Sequence, residues 1–286
     1  MNLRYYLTLS CTNQPGIVAA VAACLFEAGG NILEAQQFDD QSSNRFFMRV
    51  EFDVPHDGPS AENLCDKLFP IAAGYRMQWK LRARSAWLRV LMLVSKQDHC
   101  LGDLLYRFRI GEMPMQIVGI VSNHPKESLN LSLIGGIQYH HLPIVGGAKG
   151  EQEQRIKEVI SSTSADLIVL ARYMQILSDG MTAFVAGRCI NIHHSFLPGF
   201  KGAKPYHQAF ERGVKMIGAT AHYVTADLDE GPIIIQDTEP VSHTDTPETL
   251  ARKGRDIERR VLARAVLCHL EDRVLINGTK TVVFRD

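Results

Sequence analysis

The chain has 286 residues, and its 31 Lys plus Arg residues balance its 31 Asp plus Glu residues, so the formal net charge is zero. This balance argues against a general binder of nucleic acids or anionic membranes, because either one needs a basic surplus. Hydrophobic residues make up 45% of the chain, which excludes an intrinsically disordered protein. No apolar run reaches the roughly 20 residues of a membrane-spanning helix.

The amino terminus and the cysteines predict a cytoplasmic protein. Residues 1–5 begin directly in an alternating pattern, without the apolar stretch and cleavage site of a secretory signal. The six cysteines are scattered and form no CxxC pair. We therefore expect neither a disulfide framework nor a cysteine-rich zinc site.

Residues 1–84 have the pattern of a small domain. Apolar and polar residues alternate along four segments, which predicts strands, and two segments between them have helical character. Gly29 and Gly30 end the first helix. The predicted strands are 3–9, 31–38, 48–54 and 77–82, and the predicted helices are 17–28 and 59–73. This order, βαββαβ, is the ferredoxin-like arrangement.

Residues 85–286 alternate between short apolar runs and helical segments. Such alternation predicts a Rossmann-like, mainly parallel sheet with helices on both faces. A last helix is expected to start at Thr246-Pro247 and to run to about residue 270, and Asn277-Gly278 indicates a hairpin turn. The other predicted strands are 88–94, 116–121, 166–171, 189–193 and 218–224, and the other helices are 101–111, 151–161 and 206–213.

Common nucleotide and hydrolase motifs are missing from this second domain. The segment after its first strand, residues 94–99, is not GxGxxG, and no GxSxG sequence is present. Residues 146–150 are rich in glycine but lack the spacing of a phosphate-binding loop, which favours a flexible connection there.

Three side chains of the second domain form a set suited to acyl chemistry. Asn191 and His193 are one residue apart at the end of a predicted strand, so both side chains lie on the same face. Asp229 follows the next strand in a loop. An amide can donate to a developing oxyanion, an imidazole can stabilise that oxygen or move a proton, and a carboxylate can hold and deprotonate water. From the residues alone, a metal site and a purely structural His193 stay open as alternatives.

Residues 11–21 and 29–32 resemble the ACT domain family, whose members bind small effectors, commonly amino acids, between paired domains. The resemblance implies effector binding at Asn13, Gly16, Ile17 and Asn31. Asn13 stands where the family usually has an acidic residue, so a dimerisation module without a ligand is the alternative. Domain pairing and an exposed sheet edge both predict a homo-oligomer.

Residues 191–198, 218–222 and 228–231 resemble the folate-dependent formyltransferases, in which the residues matching Asn191, His193 and Asp229 are catalytic. Residues 94–101 and 171–178, together with the tandem arrangement, resemble the formyltetrahydrofolate deformylase family more closely. That resemblance implies hydrolysis of 10-formyltetrahydrofolate to tetrahydrofolate and formate, which supplies purine synthesis and restores free tetrahydrofolate. Folate is then the substrate, and neither a metal nor another cofactor is expected.

The same resemblance implies a pterin-binding slot. Met174, Ile176 and Leu177 match the folate-lining segment of the family and follow a predicted strand, where ligands bind in such sheets. Residues 224–229, including Val224 and Thr225, are expected to close the opposite wall, with His222 supporting the loop. The remaining substrate-binding candidate is His194, which stands where transferases usually have proline. It adds a hydrogen bond near the water, changes the shape of the loop, or faces outward without a chemical role.

Two other functions compete with hydrolysis. One is formyl transfer to an amine, such as glycinamide ribonucleotide or methionyl-tRNA. The ribonucleotide should require a glycine-rich phosphate cradle after the first strand, and the tRNA should require a basic surplus; the chain has neither. The other is a non-enzymatic amino-acid sensor, which the intact Asn191, His193 and Asp229 argue against. We expect no nucleic-acid or membrane partner.

Overall fold

The structure, a computed structural model, describes residues 2–129, 132–147, 149–199 and 205–285. The chain forms two compact units. The first contains the residues up to Trp87 together with Glu271–Asn277 and the residues from Val282 onward, and the second contains Leu88–Leu270 and Gly278–Thr281. The carboxyl-terminal residues, which follow the second unit in the sequence, thus belong largely to the first one.

The first unit is a four-stranded antiparallel sheet with two helices. Its elements are β1 (Leu3–Thr12), α1 (Ile17–Glu27), β2 (Asn31–Asp40), β3 (Arg45–Val54), α2 (Ala61–Gly74) and β4 (Gln78–Ala83). The strand order is β2-β3-β1-β4, which confirms the predicted ferredoxin-like arrangement. Alternating residues of the central strands, such as Leu7, Val50 and Phe52, are buried in a core with Leu25 of α1 and Leu64 of α2.

A buried arginine distinguishes this unit from a simple two-layer domain. The Arg49 side chain is fully buried, forms an ion pair with Glu34 at 2.7 Å and donates from Nε to the backbone oxygen of Glu271 at 3.0 Å. Its guanidinium lies 4.7 Å from the centre of the Tyr6 ring. The segment that begins at Glu271 is therefore held on the sheet of the first unit by hydrogen bonding and charge.

The second unit is built on a seven-stranded sheet. Its strands are β5 (Leu88–Val94), β6 (Met115–Ser122), β7 (Tyr139–His141), β8 (Leu167–Leu170), β9 (Cys189–His193), β10 (Met216–Tyr223) and β11 (Ile233–Pro240). The order is β11-β10-β9-β8-β5-β6-β7. The five strands from β9 to β7 are parallel, while β10 and β11 run antiparallel to their neighbours. The mainly parallel sheet was predicted.

Helices and a hairpin complete the described part of the chain. The helices of the second unit are α3 (His99–Arg109), α4 (Lys149–Thr163), α5 (Asp179–Phe184), α6 (Pro205–Glu211) and α7 (Pro247–Leu270), and the hairpin strands are β12 (Val274–Asn277) and β13 (Lys280–Val283). The hairpin at Asn277-Gly278 and the start of α7 at Pro247 agree with the predictions. No helix among the described residues is long and apolar enough to span a bilayer.

The sequence patterns did not predict β7, α5 and β11, nor the two short 3-10 helices Lys126–Ser128 and Ser132–Ile134. β7 has three residues and α5 has six, which is too short for a periodic pattern. β11 is an edge strand whose second half, from Gln236 to Glu239, is polar, so it lacks the apolar run by which the other strands were found. In the glycine-rich segment 146–150, Lys149 begins α4, and Ala148 lies outside the described residues.

Candidate active site

Strand pairing brings three polar side chains to one face of the sheet. Asn191 and His193 lie at the carboxyl end of β9, where His193 is buried and Asn191 half-buried. In the antiparallel pair with β10, His222 is directly opposite Asn191, and directly opposed residues project to the same face. The two-residue periodicity of a strand therefore predicted correctly that Asn191 and His193 share a face. The β9–β10 register adds His222 to the same face.

The loop between β10 and β11 carries Asp229 back over this face. Asp229 has a φ of 59°, in the left-handed region that aspartate tolerates better than most residues. Two residues later, a Cβ on Gly231 would lie 1.7 Å from the backbone oxygen of Tyr223. Only glycine allows the loop to return this closely against β10. The backbone N–H of Tyr223 closes the turn by donating to the oxygen of Pro232 at 2.9 Å.

The predicted trio lies together with His222 in one polar cluster. His193 Nδ1 lies 3.1 Å from Asp229 Oδ1, and His222 Nε2 lies 3.8 Å from the same oxygen. Asn191 Nδ2 is 3.2 Å from His222 Nε2. His222 Nδ1 is 2.9 Å from the Tyr223 backbone oxygen, which can only accept, so Nδ1 carries a proton. In a neutral His222 ring, Nε2 then accepts one N–H of Asn191 and leaves the other N–H available.

The two ring nitrogens of His193 differ in their hydrogen bonding. Its Nδ1 is directed at Asp229, whereas its Nε2 is buried without a hydrogen-bond partner among the described residues. Buried polar atoms normally have a hydrogen-bond partner, so a buried nitrogen without one requires an explanation. A polar group of a bound ligand would satisfy it.

The charge of Asp229 is stabilised by its neighbours. Burial alone would raise the pKa of this carboxyl, but the hydrogen bond from His193 and the interaction with the neighbouring His222 ring outweigh burial and hold the pKa well below its ordinary value. Asp229 is therefore ionised throughout the neutral range.

We expect this shift to appear in the pH dependence of stability. A carboxyl whose pKa is lowered by folding stabilises the protein above its unfolded pKa of about 4 and loses that contribution as the pH falls toward its folded pKa. The free energy of unfolding of the wild type should therefore drop relative to that of Asp229→Asn between pH 5 and pH 3. Urea titrations at several pH values measure this difference, and a constant difference would contradict the assignment.

A cavity of about 260 Å³ opens beside the trio. All seven predicted substrate-binding residues line it together with Asn191, His193 and Asp229: Met174, Ile176, Leu177, His194, His222, Val224 and Thr225. Met174 and Ile176 are 54% and 61% exposed, so they form a wall rather than a packed core. The cavity combines apolar walls with a few convergent polar groups, as small-molecule sites usually do.

His194 lies against the trio rather than facing outward. Its ring stacks on His193 with centroids 4.9 Å apart, and it lines the cavity. Strand alternation does not apply here because β9 ends at His193. The contact rules out the outward-facing alternative.

Two further residues that line the cavity were not predicted from the sequence. They are Thr182 of the short helix α5 and Arg172, and both are buried. Thr182 had no signal in the sequence because its helix was not predicted. Leu228, which belongs to the wall predicted for residues 224–229, also lines the cavity and is 56% exposed.

The four predicted effector residues lie around the β1–α1 turn and the start of β2. Gly16 has a φ of 92° and precedes α1, and the Ile17 side chain is buried in the core. A cavity of about 310 Å³ in this unit is lined by other residues, including Cys24, Lys67 and Ile71. Asn13 and Asn31 lie outside it.

Two family descriptions match the chain: "Formyl transferase" over residues 88–266 and "ACT domain" over residues 5–66. A formyltetrahydrofolate deformylase of Corynebacterium sp. (strain P-1) is 49% identical and covers 99% of both chains. The crystal structure of a formyltetrahydrofolate deformylase from Burkholderia mallei is 50% identical, with a TM-score of 0.93 over 99% of this chain and 100% of that one.

A more distant structure shares the second unit. Glycinamide ribonucleotide transformylase 1 from Symbiobacterium toebii is 30% identical, with a TM-score of 0.66 over 72% of this chain and 98% of that one. The fold and the site thus define an ACT domain joined to a formyl transferase domain. With relatives this similar over nearly its full length, the chain belongs to the formyltetrahydrofolate deformylase family.

Proposed function

We propose that this protein hydrolyses 10-formyltetrahydrofolate to tetrahydrofolate and formate. The observation that carries the proposal is the contact of His193 Nδ1 with Asp229 Oδ1 at 3.1 Å beside an apolar cavity. The names of the full-length relatives support the same substrate. The pterin lies against Met174, Ile176 and Leu177, which directs the formyl group on N10 toward the trio.

In the first step, water attacks the formyl carbon. Asp229, ionised at neutral pH, holds the water by a hydrogen bond, and the Asp229–His193 pair accepts the proton that the water loses. A new C–O bond forms, and the carbonyl oxygen becomes an oxyanion. The free N–H of Asn191 donates to this oxygen, as does His193 Nε2 when protonated, and both stabilise the charge where it develops.

In the second step, the bond between the formyl carbon and N10 breaks. The oxyanion returns its electron pair to re-form the carbonyl, and N10 takes the proton that the pair gained from water. The products are tetrahydrofolate and formic acid, which releases its own proton to solvent. The trio needs no nucleophilic serine or cysteine for this sequence.

His222 acts in this scheme as a positioning residue. Its Nε2 accepts from Asn191, and its Nδ1 is fixed by the Tyr223 oxygen. We expect His222→Phe to lower kcat about tenfold or more while KM changes little, because the amide loses its orientation but the cavity wall remains. Steady-state kinetics measure both constants, and an increase confined to KM would contradict a positioning role. His222→Gln, which can still accept a hydrogen bond, should recover part of the loss.

A formate-release assay tests the proposal. Purified protein with 10-formyltetrahydrofolate and no amine should release one formate for each tetrahydrofolate formed. Absence of formate without an amine, but product on adding glycinamide ribonucleotide, would favour the transferase function of the more distant relatives.

The first unit supplies the proposed regulation. We assign it the binding of a small effector such as an amino acid around Asn13 and Asn31, and pairing with a second copy of the chain through the exposed strand β2. Assays with single amino acids identify the effector and its sign. The described cysteines are free thiols, which fits the cytoplasm, where the released formate enters purine synthesis and tetrahydrofolate returns to the folate pool.

A further inference from the structure

The sheet of the second unit has its topological switch point between β5 and β8. From β5 the chain proceeds to β6 and β7 on one side, and then returns to β8 and β9 on the other. In open α/β sheets, the crevice beyond the carboxyl ends of the strands at this point is the usual ligand site.

In this protein the crevice is filled by the side chain of Arg172, which follows β8. Arg172 is buried and has a φ of 65°, a conformation that glycine adopts more easily. Its backbone oxygen accepts from Ser95 N–H at 3.1 Å, which ties it to the end of β5. Its Nη2 and Nε donate to Gln97 Oε1 at 2.6 and 3.1 Å.

A buried carboxylate holds the arginine from the helix side. Glu258 of α7 lies 3.3 Å from Arg172 Nε, and it also accepts from His99 Nε2 at 2.9 Å and from Tyr206 Oη at 2.6 Å. Burial raises the pKa of Glu258, but these partners together lower it, so the carboxylate stays charged. A Cβ on Gly254 would lie 2.0 Å from the Tyr206 ring, so α7 needs glycine there for the ring to fit.

Residues from three helices and from the two loops that follow β5 and β8 thus converge on a crevice that a substrate could otherwise enter. Arg172 Nη1 remains buried without a hydrogen-bond partner among the described residues. The need to satisfy buried polar atoms therefore does not by itself explain the network. The cavity beside it, at about 260 Å³, is slightly smaller than the roughly 300–1,000 Å³ typical of small-molecule sites. Arg172 lines this cavity, so its side chain limits the space on that side.

We propose that the network of Arg172, Gln97, Glu258, His99 and Tyr206 blocks the site of a second substrate and so reserves the formyl group for water. This inference rests on the proposed hydrolysis. If the network is opened, a small primary amine attacks the formyl carbon instead: a C–N bond forms, the bond to N10 breaks, and the proton lost by the amine passes to N10. The product is an N-formyl amine in place of formate.

The test measures how the formyl group is partitioned. Wild type, Arg172→Gly and Arg172→Lys are each incubated with 10-formyltetrahydrofolate and excess glycinamide, and formate and N-formylglycinamide are quantified by mass spectrometry. Glycine suits the left-handed backbone at this position and opens the crevice, whereas lysine keeps it filled. We expect the ratio of N-formylglycinamide to formate to rise at least tenfold in Arg172→Gly and to stay near the wild-type ratio in Arg172→Lys.

Tyr206→Ala opens the network from the side of Glu258 and provides a second variant. An unchanged ratio in a folded Arg172→Gly would overturn the proposal, as would complete loss of formate release, which would place Arg172 in the reaction itself. If Arg172→Gly does not fold, the ratio of N-formylglycinamide to formate is measured in Tyr206→Ala instead. If neither variant folds, the network serves stability and the proposal fails. Formate release by the wild type without amine is measured first, so failure of the proposed hydrolysis is recognised separately.

Discussion

Replacing Asp229 with asparagine is expected to lower kcat by about a thousandfold, since a positioned acid–base group typically contributes about 100- to 10,000-fold. The substitution keeps the size of the side chain but removes its charge. Asparagine also tolerates the left-handed backbone at this position, so the loop should keep its shape. The loss therefore reports the handling of water and its proton rather than a folding defect.

A matched control separates chemistry from stability. Asp256 is an exposed aspartate of α7 that pairs only with Arg259 among the described residues, and Asp256→Asn should retain kcat within about twofold, as expected for a weak surface pair. Steady-state formate release by both variants, with unfolding curves for each, provides the comparison. Near-native turnover by a folded Asp229→Asn would exclude Asp229 as the group that activates water.

Asn191→Ala is expected to reduce kcat by about 100- to 1,000-fold, the loss typical of removing one oxyanion donor. KM should change little, because the amide donates most strongly once charge develops on the formyl oxygen. Asn191→Asp preserves the shape but has no N–H donor, so its kcat should fall at least as far. A rise in KM without a change in kcat would show that Asn191 binds the ground state and does not stabilise the oxyanion.

Local patterns were sufficient to predict much of the fold. Largely apolar runs identified the buried parallel strands, such as Leu88–Val94, in which Arg89 is the one polar residue, because a strand covered on both faces favours apolar residues. Alternation identified the strands of the first unit, because the side chains of its main core, such as Leu7 and Val50, project from one face. The pairing of Asn191 with His193 followed from the same strand periodicity.

Long-range contacts could not be predicted in this way. The 3.1 Å approach of Asp229 to His193 depends on the left-handed turn at Asp229 and on the close return at Gly231. The burial of Arg49 depends on Glu271, more than two hundred residues away in the sequence. The network around Glu258 joins four elements whose individual patterns indicate only ordinary helices and loops. Each of these contacts is set by tertiary packing rather than by local sequence.

The identity of the formyl acceptor is the central claim, and isotope incorporation measures it directly. The purified protein is given 10-formyltetrahydrofolate in water enriched in oxygen-18, and the formate is analysed by mass spectrometry after a single turnover. If water attacks the formyl carbon, each formate carries one oxygen from the solvent, and tetrahydrofolate appears in equal amount without any added amine. Tetrahydrofolate formed without labelled formate, or only when an amine is supplied, would contradict the account.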